Sequence, residues 1–169
     1  MAVQSKAALV LRAISMSAFV AVLGLWLPAA ADTMSDADAA WRRQDFTTAA
    51  QLYRSLAEQG RASAQHALGK MYENGEGVPR DSAEAAKWFR RAAEQGHAGA
   101  QLFLGGMYST GEGVPRDYVQ AYMWFSLSMA AGQGDYAAHG RSDVMKKMTP
   151  AQIAQGDRLV SEWKPKKGQ

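Results

Sequence analysis

Residues that could do chemistry are few in this chain, and one short pattern among them is known from enzymes. Ser161 and Lys164 fit Ser-x-x-Lys, the nucleophile motif of penicillin-binding proteins and β-lactamases, in which an amine lies beside the attacking hydroxyl. Neither Ser-Asp-Asn nor Lys-Thr-Gly follows it. Because two fixed positions in four arise readily by chance, the pattern is a weak indication of a hydrolase.

Three histidines, His66, His97 and His139, could bind a metal or act as bases. None has a second histidine three or four residues away, so we interpret them as surface or groove residues. The chain has no cysteine, which excludes disulfides, thiolate metal sites and a cysteine nucleophile. We therefore expect no catalytic residue, no metal and no cofactor.

The first 31 residues differ from the rest of the chain. Lys6 and Arg12 precede an uncharged apolar run from 13 to 31, which Pro28 interrupts. The run Ala29–Ala31 puts small side chains at the −3 and −1 positions, which predicts a signal peptide cleaved between Ala31 and Asp32. An uncleaved anchor is the alternative, but the apolar core of about 15 residues is shorter than the roughly 20 needed to span a membrane. We expect a periplasmic or secreted protein with no stable span after cleavage.

The charge of the chain is modest. The formal net charge of +3 falls to +1 without Lys6 and Arg12, and the remaining basic surplus lies after residue 140. No basic patch of the size that binds nucleic acid emerges, so no nucleic-acid partner is expected. Residues 164–169, with three lysines, are interpreted as a flexible basic tail.

A 36-residue block occurs twice. Residues 61–96 and 97–132 align without a gap and are identical at 18 of 36 positions, including the run Gly75–Asp81, which recurs at Gly111–Asp117. A third, partial copy precedes them, because Ala57–Gly60 matches Ala93–Gly96. Self-similarity of this period predicts stacked structural units.

Each unit is predicted to form two helices. In the first, apolar residues recur at helical spacing from Ala64 to Tyr72, and Gly75 can take the left-handed conformation that ends a helix. In the second, Asp81 is the expected N-cap, with Glu84 in the position of a capping box. Because one unit cannot bury its own apolar face, the helix pairs must stack and both ends must be capped.

The chain divides accordingly. After the signal peptide (1–31) we predict an N-terminal helix pair (32–60), two repeats (61–96 and 97–132) and capping helices (133–163). The expected outer helices are Ser35–Arg43, Phe46–Glu58, Asp135–Lys147 and Pro150–Trp163, the last with Thr149 as N-cap and Gln152 in the box position.

Both copies share one pattern: Ala-Gln-x-x-Leu-Gly-x-Met-Tyr, then Gly-Glu-Gly-Val-Pro-Arg-Asp, then Trp-Phe. This pattern resembles the Sel1-like repeat, a relative of the tetratricopeptide repeat. The resemblance implies an all-α fold, a right-handed solenoid of antiparallel helix pairs. It also implies that the first helices line a concave face that binds other proteins. Some cysteine-rich relatives are linked to β-lactams, but this chain has no cysteine.

Candidate binding residues are those at which the two copies differ on the first helix, since identical positions serve packing. His66, Lys70 and Glu73 are replaced in the second copy by Leu102, Gly106 and Ser109, and Ala67 is replaced by Phe103. Our predicted groove residues are His66, Lys70, Glu73, Phe103 and Ser109. Phe103 is expected to be an interface anchor or to pack on the next helix pair; Tyr118 and Tyr122 are weaker candidates.

These features predict an exported, monomeric protein–protein interaction module that scaffolds or regulates a partner in the bacterial cell envelope. One alternative is a cell-wall or β-lactam hydrolase acting through Ser161. The other is a structural component of the envelope stress response.

Overall fold

The computed structural model describes residues 33–166, and the predicted signal peptide with its cleavage point between Ala31 and Asp32 lies outside them. Residues 33–166 form eight α-helices and no strand, which confirms the predicted all-α fold class. The helices are α1 (Met34–Arg42), α2 (Phe46–Glu58), α3 (Ala62–Asn74), α4 (Ser82–Glu94), α5 (Ala98–Thr110), α6 (Tyr118–Ala130), α7 (Gly134–Met145) and α8 (Pro150–Glu162). From α1 to α7 each helix packs against the next, and α8 packs against α6.

Local signals in the sequence set the helix ends. Gly75 ends α3 with a φ of 76°, in the left-handed region that favours glycine. Asp81 caps α4, because its carboxylate accepts the backbone N–H groups of Ala83 and Glu84, each at 2.9 Å. The predicted reciprocal contact of Glu84 is wrong: its carboxylate pairs with Lys87 Nζ at 2.8 Å instead.

Capping boxes do form at two other helices. Thr149 and Gln152 make both reciprocal bonds at the start of α8, as predicted. Thr33 and Asp36 do the same at the start of α1, where no box was predicted. Each box satisfies backbone donors that the first turn of a helix leaves unpaired.

Glycines let the two helices of each repeat approach closely. A Cβ added at Gly69 of α3 would lie 2.7 Å from Phe89 Cε1 of α4, and one at Gly105 of α5 would lie 2.8 Å from Phe125 Cδ1 of α6. Real Cβ atoms do not approach ring carbons so closely. The second helix of each repeat therefore packs an aromatic ring directly on the backbone of the first.

Tryptophans fill the space between neighbouring pairs. Trp88 of α4 is 7% exposed and packs in a core cluster that otherwise comes from α1, α2 and α3, including Tyr53, Leu56 and Leu68. Trp124 of α6 takes the same place one repeat later, among residues of α4 and α5. The two identical tryptophans thus join each unit to the one before it.

The repeated loops after α3 and α5 also contact the preceding unit. Gly113 is so close to α4 that an added Cβ would lie 2.1 Å from the carbonyl oxygen of Ser82, and Gly77 stands in the same relation to Phe46. Glu112 accepts hydrogen bonds from Arg80 Nη2 at 3.0 Å and from Ser82 Oγ at 2.9 Å. Each loop therefore lies directly on the N-terminus of the previous second helix.

The C-terminal part of the chain turns back over the repeats. Tyr122 of α6 donates to Asp157 of α8 at 2.7 Å, and its hydroxyl accepts from Arg141 of α7 at 3.0 Å. The segment 163–166, called the C-terminal strap here, then reaches the end of α4. Lys166 donates its backbone N–H to the Glu94 carbonyl at 2.8 Å, and its Nζ lies 2.9 Å from the Glu94 carboxylate.

The strap differs from the flexible tail predicted from residue 164. The carbonyl of Glu94 is one of the last in α4 and has no partner within the helix, so an N–H from elsewhere is favourable there. A basic side chain is also favoured near a helix C-terminus. Residues 167–169 lie outside the described part of the chain.

Tyr122→Phe tests the junction of α6, α7 and α8. The tyrosine is 2% exposed, and its hydroxyl holds both Asp157 and Arg141. Because a hydrogen bond to a charged group contributes about 1.5–3 kcal/mol, we expect the free energy of unfolding to fall by about 2 kcal/mol in urea titrations. An unchanged urea midpoint would show that this hydroxyl does not hold α8.

Candidate functional site

The predicted groove residues lie on the first helices of the two repeats, α3 and α5. We call their surface the first-helix face: residues 66, 70 and 73 of α3 together with 103, 106 and 109 of α5. Its centre is an aromatic cluster in which the ring of His66 lies 4.5 Å from that of His97, 5.6 Å from Phe103 and 5.8 Å from Phe89. The structure thus brings His66 and Phe103 together from separate repeats.

Phe103 packs within the solenoid and is also partly accessible. Its ring stacks on Phe89 at 5.0 Å with an interplanar angle of 9°, so it packs on the preceding helix pair. The alternative prediction, that Phe103 packs on the next helix pair, is wrong. Phe103 is nevertheless only partly buried, and the rest of its ring belongs to the first-helix face.

The other predicted residues surround this cluster. Lys70 is exposed, and Glu73 is half-buried, with a pKa raised by burial and then by the carboxylate of Glu112. Ser109 donates its hydroxyl to the carbonyl of Gly106 within its own helix at 2.9 Å. Above Gly106 the surface is open, because a Cβ added there would meet nothing within 4 Å.

The two weaker candidates, Tyr118 and Tyr122, lie in different surroundings. Tyr118 is half-buried, and its ring lies 5.6 Å from the guanidinium of Arg116 and 5.4 Å from Lys147 Nζ. Tyr122 is buried in the junction with α8, so it is inaccessible to a partner and its role is structural. Neither tyrosine belongs to the aromatic cluster.

A cavity of about 230 Å³ continues this surface toward the N-terminal helix pair. It is lined by Trp41, Tyr53, His66, Ala67, Lys70, Met71, Asn74 and Glu76. Trp41 is 44% exposed, and its indole Nε1 donates to Glu76 at 3.3 Å. The comparison of the two copies misses Trp41, because the N-terminal pair lies outside the gap-free repeat.

Both histidines of the cluster are neutral at pH 7. Burial, then the neighbouring His97 and Lys70, lower the pKa of His66 to about 4. Burial also lowers the pKa of His97. The Nδ1 atom of His97 accepts the backbone N–H of Ala100 at 3.2 Å and so caps α5, whereas His66 Nε2 is buried with no hydrogen-bond partner.

The Ser-x-x-Lys pattern is not assembled as a nucleophile. Helix α8 ends at Glu162, so Ser161 lies in its last turn while Lys164 lies beyond it, in the strap. Ser161 is exposed and donates its hydroxyl to the carbonyl of Arg158 at 2.8 Å. A serine nucleophile needs its proton directed at a base, and here the proton points at a backbone oxygen.

Two further findings concern residues 33–166 alone. Within them, no group of three or more histidine or carboxylate side chains is placed to hold a metal ion. None of the helices they form is long and apolar enough to cross a membrane.

The fold is an α-solenoid of helix pairs. Residues 40–60, 62–97 and 98–134, more than half of the chain, match the family model of the Sel1 repeat. The chain belongs to the Sel1 repeat family, as the motifs suggested, and Sel1 repeat proteins are protein-interaction scaffolds.

Solved structures with the same fold include a protective antigen present in uropathogenic Escherichia coli strains, described as displaying an SLR fold. It is 34% identical, with a TM-score of 0.72, over 76% of this chain and 28% of that one. This chain thus spans little more than a quarter of that protein. A Sel1 repeat protein from Oxalobacter formigenes is 24% identical, with a TM-score of 0.58, over 85% of this chain and 69% of that one. No curated protein matches the chain.

Proposed function

We propose that this protein is an exported interaction module that binds a protein partner on its first-helix face and so scaffolds or regulates that partner in the cell envelope. The proposal rests on the different roles of the positions that the two copies share and the positions at which they differ. Shared positions such as Trp88, Gly105 and Gly113 lie in packing contacts inside the solenoid. The differing positions His66, Lys70 and Phe103 form one continuous surface with the cavity beside Trp41.

The chemistry of that surface suits a peptide or protein ligand. Exposed aromatic rings beside a cavity are the usual anchors of protein interfaces, since they bury a large area at low entropic cost. Trp41 is such a ring and lines the cavity together with His66 and Lys70, whose amine is exposed. Phe103, which is partly buried, contacts His66 from the second repeat. The open surface over Gly106 leaves room for a chain to lie across α5.

Filling the open surface should block binding without harming the fold. Gly106→Trp places a large side chain where nothing lies within 4 Å, and it replaces a helical glycine, which costs about 1 kcal/mol relative to alanine. We expect a pull-down from an envelope extract to lose a stoichiometric partner with this variant while the thermal midpoint does not fall.

The matched control is Gly134→Trp. Gly134 is also helical with nothing within 4 Å of an added Cβ, but it lies at the first residue of α7, outside the first-helix face. This variant should retain the partner. Loss of the partner with both variants, or with neither, would contradict binding on the first-helix face. Phe103→Asp is a less specific probe, because that ring also packs on Phe89.

Export is proposed from the N-terminal segment, in which small residues precede Asp32. We expect the protein recovered from the envelope fraction of expressing cells to begin at Asp32 when its N-terminus is determined by mass spectrometry. Recovery with the apolar segment attached would instead indicate a retained anchor.

A further inference from the structure

The stacked histidines lie at the contact between the two repeats. His66 belongs to the middle of α3, and His97 is the residue that caps α5. Their rings are 4.5 Å apart with an interplanar angle of 26°. Both lie over Gly99, where an added Cβ would be 3.1 Å from His66 Nε2 and 3.4 Å from His97 Cε1. The absence of a side chain at Gly99 therefore lets the imidazoles lie directly on α5.

Neither imidazole can accept a proton without disturbing this arrangement. The Nδ1 atom of His97 accepts the Ala100 N–H at 3.2 Å, and it would lose that role if it were itself protonated. A positive charge at His97 would also oppose the dipole at the N-terminus of α5. In the imidazolium form of His66 both ring nitrogens carry protons, and the one on Nε2 would be buried with no acceptor, against the rings of Phe89 and Phe103.

Among residues 33–166, no carboxylate contacts the His66 ring to compensate such a charge. Lys70 on the same helix and His97 on α5 both disfavour protonation of His66. From the other packed elements, Glu76 lines the same cavity as His66, but its carboxylate accepts from Trp41 Nε1 and Asn74 Nδ2. Tyr53 also lines that cavity, and its hydroxyl donates to Asp38.

We propose that the His66–His97 pair is an acid-sensitive contact between the repeats: protonation separates the two imidazoles, releases the cap of α5 and opens the first-helix face at Phe103. The pair is specific to this junction. The second copy has Leu102 at the position of His66. The first copy has Arg61 at the position of His97, and Arg61 makes no side-chain cap. The proposal concerns the chain itself and does not depend on the identity of a partner.

Amide hydrogen exchange of the full chain at pH 7 and pH 5 tests this opening, after correction for the intrinsic exchange rate. If His66 regains its ordinary pKa of about 6.5 in the opened state, linkage predicts about a twentyfold loss of protection for the amides of Ala100 and Gln101. The corresponding amide of the first repeat, Gln65, donates to the Arg61 carbonyl at 3.0 Å and should keep its protection, because it lies at an N-terminus without a histidine cap.

The control is the double variant His66→Leu with His97→Asn. Leucine is the residue of the other copy, and asparagine is a good N-cap that does not titrate. Its Ala100 and Gln101 amides should be equally protected at both pH values. The proposal is overturned if the wild type shows no selective loss at these amides, or if the double variant loses protection to the same extent.

Discussion

Gly113→Ala should be the most damaging single substitution in the second repeat, with an expected loss of more than about 4 kcal/mol in the free energy of unfolding. Two effects combine there. The backbone has a φ of 70°, which costs a non-glycine residue about 1–2 kcal/mol. The new Cβ would also lie 2.1 Å from the carbonyl oxygen of Ser82. Because the backbone fixes the position of a Cβ and the carbonyl oxygen is itself a backbone atom, the overlap is relieved only by moving the loop off α4.

Gly111→Ala separates the two effects. Gly111 lies in the same loop with a φ of 84°, but an added Cβ would approach no closer than 3.2 Å, to Arg116 Cβ. We expect only the conformational cost of about 1–2 kcal/mol. Urea unfolding followed by circular dichroism measures both variants. Equal losses would show that the loop does not hold the repeats together.

Trp88→Ala should lower the free energy of unfolding by about 3–5 kcal/mol, because it empties a pocket between the N-terminal pair and the first repeat. The ring is 7% exposed and packs among residues of α2 and α3. In a domain of this size each kcal/mol lowers the thermal midpoint by about 4 °C, so we expect a shift of about 12–20 °C in a calorimetric scan.

Trp88→Phe and Trp41→Ala are the matched controls. The indole N–H of Trp88 is buried without a hydrogen-bond partner, so its removal in Trp88→Phe breaks no bond, and less than half of the loss should remain. Trp41 is 44% exposed, and its truncation should cost less than about 1 kcal/mol. If Trp88→Ala shifts the midpoint no more than Trp41→Ala does, Trp88 does not join the units.

The sequence predicts the helices well because their signals are local. Asp81, Gly75 and Thr149 act within one turn of their own position. The pairing of His66 with His97 is not local, since it depends on how closely α3 approaches α5 over Gly99. Comparing the copies selects His66 and Phe103 as distinctive residues, but it cannot show that their rings meet.

Two other features carry no periodic signal. Trp41 lies in a helix pair with a shorter turn, so it has no counterpart in the repeats that would mark it as distinctive. In the strap, Lys166 contacts Glu94, which lies 72 residues earlier in the chain. A contact between residues so far apart cannot be predicted from residue spacing or composition. The misplaced box at Glu84 has a different cause: the backbone N–H of Asp81 already donates to the Tyr72 carbonyl at 2.9 Å, and the Glu84 carboxylate pairs with Lys87.

The strap changes how the stack can come apart. In an open stack each unit contacts only its neighbours, so the last unit can unravel while the others persist. Here the segment after α8 is bound to the end of α4 through Lys166 and Glu94. The second repeat therefore lies between α4 and the C-terminal segment, and the strap must be released before this repeat can separate from α4. We expect α4 through α8 to melt as one cooperative block.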